Sequence, residues 1–339
     1  MLEIKEEELK KILPSDGPSI DEVKRYLEKY NDEYIVIKCG GSVLVDKNLF
    51  DIFIKDISVL NKLGFIPIIV HGGGKRISNK LNETGIKSEF VKGLRVTNKE
   101  TIEVVEEVLI EFNKEIIEAL QQQACNSQTI SSKQNNIIKV VQESADLGFV
   151  GTPTEINKTI IDKIVDEKKV PVIAPLGLDE SNQTYNINAD TAAGSIAKKI
   201  EARRLIIMSD VEGVLDDNNK LIPEINSQSI QDLINNETVT GGMIPKINTC
   251  LDAVNNGVTA VGIIDGREKH SILFEIFSVL LFFRARLKNV DRSSATYHSV
   301  TVDDFTVVIT EFKPKEKKEE QKKKIENFDP SFCLQKLSN

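Results

Sequence analysis

From residue 33 the chain alternates short apolar runs with longer segments of helical period. YIVIK (34–38) and FIPIIV (65–70) are continuously apolar and enclose KNLFDIFIKDISVLNKLG (47–64), whose apolar residues recur at helical spacing. NKETIEVVEEVLIEFNKEIIEALQQQ (98–123) is the longest helical pattern, IIKVVQ (137–142) reads as a strand, and IIDKIVDEKKVPVIAPLG (160–177) as a helix–strand pair. TAAGSIAKKIEA, RLIIMSDVEGVLD, SIQDLI, GGMIPKINTCLDAVNNG and VTAVGIID repeat the theme. Continuous apolar strands separated by helices belong to a sheet covered on both faces. The pattern predicts an α/β fold, a three-layer sandwich around a mostly parallel sheet, in two lobes.

Four segments follow. Residues 1–32 form an N-terminal extension, with a short charged helix or a disordered arm at 1–13 and a Ser-capped helix over 19–30. A polar stretch near 178–184 divides a first lobe (33–180) from a second (181–278). Residues 279–339 are an atypical tail: VLLFFRARL and DDFTVVITEF have strand character, and EFKPKEKKEEQKKKIENF (311–328) is charged, low in complexity and expected to be solvated or disordered.

The bulk numbers remove several function classes. Against 44 Lys and Arg stand 52 Asp and Glu, a net charge of −8, which argues against nucleic acid as the main partner. Cys39, Cys125, Cys250 and Cys333 are scattered with no C-x-x-C pair, which speaks for reduced thiols in a cytoplasmic setting and against a disulfide scaffold or zinc site. No apolar run approaches the ~20 residues that span a bilayer, so no membrane association is expected. The acid-rich start MLEIKEEELKKIL fits neither a signal nor a transit peptide.

Chemistry is expected in three glycine-bearing turns at strand ends, where α/β sheets place ligands. They are Lys38-Cys39-Gly40-Gly41, His71-Gly72-Gly73-Gly74 ahead of a helix, and Gly241-Gly242 ahead of a helix carrying Lys246. Glycines admit a ligand close to the backbone, and helix starts offer free N–H groups to anions. Three such loops, two with a lysine nearby, point to phosphate handling, although the first is not a G-x-x-x-x-G-K-[ST] loop. Each feature has a plainer explanation. Lys38 ending an apolar strand is explained equally by snorkelling, NINAD (186–190) by a turn and helix cap, SDVEGVLD (209–216) by a strand end and polar turn, and Lys75 and Arg76 by a solvated helix face. His71 reads as structural, having no Ser or Cys partner.

Taken in order, IVIKCGG, IIVHGGGKRI, KGLRVT, NINADTAAGSIA, LIIMSDVEGVLD and GGMIPKI resemble the amino acid kinase family over about residues 20–278. KGLRVT with NINAD is most similar to its acetylglutamate-phosphorylating branch. The resemblance implies transfer of the γ-phosphoryl of MgATP to the γ-carboxylate of N-acetyl-L-glutamate, the second step of arginine synthesis. It implies Lys38 and Lys246 as cations on the transferring group, with Asp190 between them. Gly73, Gly74, Arg95 and Asn188 would bind the acetylamino acid. Gly40, Gly41, Ser209, Asp210, Gly213 and Met243 would line the nucleotide side. No metal ligand is implied in the protein, since Mg2+ arrives on ATP. The resemblance further implies a homodimer or a hexamer built as a trimer of dimers, with residues 19–30 as the oligomerising helix. A PII-type signal protein is an implied partner, and an arginine effector site would include His270 and Glu275.

Two stretches depart from the family. A glycine-bearing closing strand is missing after Ser278, where VLLFFRARLKNVDRSSATYHS stands instead, and TISSKQNN (129–136) replaces a glycine-rich hairpin. The first departure bears on arginine inhibition and on the C-terminal lobe; the second lies away from the transfer chemistry. The alternatives are another carboxylate or phosphate kinase on this fold, an inactive arginine-sensing homologue, and a scaffold that docks a partner through its tail. LRVT and NINAD weigh against the first, and the joint presence of Lys38, Asp190 and Lys246 against the second.

Overall fold

The computed structural model describes residues 6–30, 32–131, 136–210, 235–236 and 243–277, together with the backbone of residues 298–302 and 305–309. A short helix α1 (Glu6–Ile12) leads into α2 (Ile20–Tyr30). The Ser cap read from the sequence is joined by Glu22 in a capping box: the Ser19 amide donates to Glu22 Oε2 at 2.7 Å, and the Glu22 amide donates to Ser19 Oγ at 3.3 Å. Strand β1 (Tyr34–Cys39) follows, then α3 (Lys47–Lys62), β2 (Ile66–His71) and α4 (Gly74–Glu83). A two-stranded hairpin, β3 (Phe90–Val91) and β4 (Leu94–Arg95), precedes the long helix α5 (Lys99–Gln122).

The chain continues through β5 (Ser127–Ile130), β6 (Ile138–Gln142), β7 (Gly151–Ile156), α6 (Lys158–Asp166), β8 (Val170–Ile173), β9 (Leu176–Leu178) and β10 (Thr184–Asn186). Helix α7 (Ala189–Lys199), β11 (Arg204–Ser209), α8 (Met243–Asn255) and β12 (Ala260–Asp265) follow. A further helical segment spans residues 271–277. Two tail strands, β13 (His298–Val302) and β14 (Phe305–Ile309), complete the described elements.

The central sheet runs β13-β14-β12-β11-β1-β2-β8-β5, and every pairing in it is parallel except that between β13 and β14. Alternate residues of each strand enter opposite cores. Val36, Ile68, Val70, Leu205 and Ile207 pack with Ala192 and Ile196 of α7 and Ile247 and Ala253 of α8. Ile35, Ile37, Ile69, Ile206 and Met208 pack with Phe53 and Ile57 of α3 and Phe112 of α5. That two-sided burial is why the strand centres are apolar, and it makes the fold the expected three-layer sandwich.

Leu9, Val23 and Tyr26 of the N-terminal extension are buried in the second of these cores. At the other edge, β14 pairs along β12 from Ala260↔Thr306 to Ile263↔Ile309, so a tail strand stands beyond the last strand of the α/β region. The charged stretch 311–328, the VLLFFRARL segment and residues 132–135 lie outside the described residues. Cys39, Cys125 and Cys250 are buried free thiols.

Candidate active site

The chain runs outward from β1 in both directions, to β2, β8 and β5 on one side and to β11 and β12 on the other. A crevice opens where strand order reverses in such a sheet, at the carboxyl ends of the strands. Lys38, near the end of β1 and level with Val70 of β2 and Ile207 of β11, stands there with only 6% of its surface exposed.

Lys38 Nζ lies 2.9 Å from Asp190 Oδ1, close enough for an ion pair though poorly aligned as a hydrogen bond. It also donates weakly to the Met208 carbonyl at 3.4 Å. Lys246 Nζ donates to Asp190 Oδ2 at 2.7 Å, so one carboxylate bridges two ammonium groups. Burial works against the charge of Asp190, but the two lysines outweigh it and hold the carboxyl below its ordinary range. Asp190 occupies the first turn of α7, where a negative charge is favoured; Lys246 occupies the first turn of α8, where a positive one is not. Asp190 offsets that penalty by direct contact.

The helices carrying the two residues meet closely. A Cβ added at Gly194 of α7 would stand 2.5 Å from Thr249 Cγ2 of α8, so the missing side chain sets how near Asp190 and Lys246 come.

A cavity of about 240 Å³ gathers most of the residues expected from the sequence. Lys38, Gly40, Gly41, Gly73, Gly74, Arg95, Asn188, Asp190 and Lys246 all line it. Three of its glycines are close-fitting. A Cβ on Gly40 would overlap Lys38 Nζ, one on Gly41 the Asp210 carboxylate, and one on Gly73 would lie 2.7 Å from Leu109. Gly41 also has φ of +64°, a conformation that favours glycine. The oxygen of Asn188 accepts from the Asp190 and Thr191 amides at 2.9 and 3.1 Å and caps α7. The cap reading of NINAD therefore holds for Asn188 Oδ1.

Arg95 ends the hairpin, 6% exposed. Its guanidinium donates to Gly74 O and Ser78 Oγ, both at 3.0 Å, and to Ser88 Oγ. The Phe90 ring lies 4.6 Å from its centre, and burial lowers its pKa. Ser78, Ser88 and Phe90 carry no signal in the sequence; helix α4, the loop after it and the hairpin bring them to the arginine.

His71, read as structural, is fully buried between the Gly72 carbonyl (Nδ1, 3.0 Å) and Asn113 Nδ2 (Nε2, 3.1 Å), with the Phe112 ring edge-on. Nδ1 then carries the proton and donates to Gly72, while Nε2 accepts from Asn113. Burial pushes its pKa down to about 4, so the ring is neutral and anchors the glycine turn.

Of the nucleotide-side candidates, Gly40 and Gly41 line this cavity, whereas Ser209, Asp210 and Met243 do not. Ser209 ends β11, Met243 opens α8 against the core, and Asp210 bonds to Ser42 and Lys75; Gly213, like Gly241 and Gly242, lies outside the described residues. His270 and Glu275 face different surroundings. His270 lines a separate cavity beside the N-terminal arm, 2.6 Å from Asp56 and 3.2 Å from Asp16. Burial opposes its charge, yet the two carboxylates raise its pKa. Glu275 is buried 3.8 Å from Arg204 and does not line that cavity.

A fold with a lysine–carboxylate–lysine bridge at its switch point, and an arginine across the same cavity, defines a phosphotransferase-type site. The amino acid kinase family model matches residues 33–265, and the chain belongs to that family. Its relatives narrow the class. The acetylglutamate kinase of Pelagibacter ubique is 66% identical over 278 residues, 82% of this chain and 96% of the relative. That of Campylobacter fetus is 45% identical over 75% of this chain and 91% of its own length. Among solved structures, smu.665 of Streptococcus mutans aligns with a TM-score of 0.61 at 32% identity, over 68% of this chain and 94% of the other. A short model, the Yaf2/RYBP C-terminal binding motif, matches residues 284–316, beyond the kinase match.

Proposed function

We infer that the protein transfers the γ-phosphoryl group of MgATP to the γ-carboxylate of N-acetyl-L-glutamate, yielding N-acetyl-L-glutamyl 5-phosphate and ADP in the second step of arginine biosynthesis. The observation that carries this reading is the buried Lys38–Asp190–Lys246 bridge sharing one cavity with Arg95. The acceptor is already a carboxylate at neutral pH, so no general base is required. The remaining task is to hold two anions in line and neutralise charge on the equatorial oxygens as the bond to ADP breaks.

Lys38 and Lys246 supply that charge from opposite sides, and Asp190 positions both. Arg95 pairs with the α-carboxylate through its planar fork, held in place by Gly74, Ser78 and Ser88. Gly73, Gly74 and Asn188 complete the acceptor side. Gly40 and Gly41 offer N–H groups to the phosphates, with Ser209, Asp210, Gly213 and Met243 on the nucleotide side. Mg2+ enters as part of MgATP. The enzyme works in the cytoplasm as a dimer or hexamer, and arginine and a PII-type protein are its candidate regulators. The His270 cavity is the candidate arginine site, with Glu275 supporting its helix from the buried side.

The test is ADP release from MgATP with N-acetyl-L-glutamate offered beside glutamate, aspartate, carbamate and UMP. Turnover with N-acetyl-L-glutamate alone supports the reading. Turnover only with another acceptor overturns the roles given to Arg95 and Asn188, and none with any acceptor favours an arginine-sensing homologue.

A further inference from the structure

Beside the cavity, two donors converge on a protein carboxylate. The Ser42 amide donates to Asp210 Oδ1 at 2.5 Å, and Lys75 Nζ donates to Asp210 Oδ2 at 2.8 Å and to Ser42 Oγ at 3.0 Å. The turn is shaped around this anion, since Gly41 is left-handed and a side chain there would overlap the Asp210 carboxylate. Gly41 and Gly74 line both the main cavity and the neighbouring one that Lys75 and Arg95 share, so the donors stand beside the lysine bridge. Asp210 joins the end of β11 to the first turn of α4 and to the residue after Gly41. Burial works against its charge, but Lys75 and Ser42 hold its carboxyl below the ordinary range.

We propose that Lys75 and the Ser42 amide form a polyphosphate subsite that Asp210 fills in the nucleotide-free protein, and that the terminal phosphates of the nucleotide displace the carboxylate and take over both donors. The proposal deepens the kinase reading and rests on it for the identity of the ligand. A carboxylate bound by an amide and an ammonium has the charge and acceptor geometry of two phosphate oxygens. It lies against the glycine turn that lines the same cavity as Lys38. Lys75 is thereby a third cation for the phosphate chain, and Asp210 a resident competitor that keeps the subsite closed until a stronger anion arrives.

The two partners should therefore respond oppositely, which a structural ion pair would not do. Binding of tripolyphosphate and of MgATP to the full chain is measured by calorimetry at fixed ionic strength, without acetylglutamate. Lys75→Met should weaken both by about twofold to fivefold, the range for a half-exposed charged contact, and Lys75→Arg should restore them. Asp210→Asn should tighten tripolyphosphate by about threefold, because nothing charged then competes. Weaker tripolyphosphate binding by Asp210→Asn, or affinity unaltered in Lys75→Met, overturns the proposal. Because the readout needs no acceptor, the subsite can fail while acetylglutamate phosphorylation stands, and the reverse.

Discussion

Replacing Asp190 with asparagine removes one negative charge and almost no volume from the centre of the site. Asp190 is 3% exposed, with Lys38 at 2.9 Å and Lys246 at 2.7 Å. The substitution leaves two ammonium groups facing a neutral amide that can accept through one oxygen only. Breaking a buried ion pair from one side costs about 3–5 kcal/mol. In a chain of this size that is a fall in melting temperature on the order of 10 °C. Bound MgATP brings phosphate oxygens to the same ammonium groups, so the nucleotide should raise the melting temperature more in Asp190→Asn than in the parent. Turnover should fall by about a hundredfold or more, the scale of losing one preorganised charge contact in a transition state. Scanning calorimetry with and without MgATP, alongside an ADP-release assay, reads all three. An unchanged melting temperature with turnover within about threefold of the parent would show that Asp190 neither holds the lysines nor matters to transfer.

Other perturbations probe separate parts of the site. Arg95→Lys keeps the charge and loses the two-donor fork, so KM for N-acetyl-L-glutamate should rise on the order of tenfold or more with a smaller change in kcat; an equal fall in kcat with KM unchanged would contradict a binding role. Gly194→Val should wedge α7 from α8 at Thr249, costing about 1–3 kcal/mol and lowering kcat through the Asp190–Lys246 contact; parent-like kinetics would show that the helix spacing is not limiting. His71 is held neutral, with its pKa depressed from 6.5 to about 4. The unfolded chain therefore takes up this proton first as pH falls, and the stability His71 contributes is whole above about pH 6.5 and lost progressively down to about pH 4, at most about 3 kcal/mol. Denaturant titrations of the parent and of His71→Gln across that window should converge toward acid; parallel curves would mean that His71 titrates normally in the folded protein.

The sheet and its covering helices were legible because their signal is a repeated one. Val36 faces one core and its neighbours Ile35 and Ile37 the other, a condition that only an apolar run satisfies. The Ser19 cap was visible for a similar reason, being local in sequence. Lys38, Gly40, Gly73 and Gly74 were suggested by their places at strand ends, but their convergence with Arg95 and Asn188 came from family resemblance, since no local pattern brings residues 38, 95 and 246 together. Ser78, Ser88 and Phe90 were missed: a serine in an amphipathic helix and a phenylalanine in a two-residue strand are unremarkable until tertiary contacts set them around a guanidinium. Lys75 was noted as a plausible solvated helix position, and it is half exposed, yet it is ion-paired to a residue 135 positions away. Glu275 and His270, close in sequence, face different partners because the helix between them turns one to the arm and the other to β11.

The central claim is that the carboxylate of N-acetyl-L-glutamate itself receives the phosphoryl group, and trapping the product with hydroxylamine tests it most directly. Hydroxylamine attacks the acyl phosphate carbon, expelling inorganic phosphate and leaving a hydroxamate. With MgATP and N-acetyl-L-glutamate, the account predicts hydroxamate in proportion to ADP formed, and none in Lys38→Met or Lys246→Met beyond background. ADP released without hydroxamate would mean that water, not the carboxylate, takes the phosphoryl group, and would contradict the account.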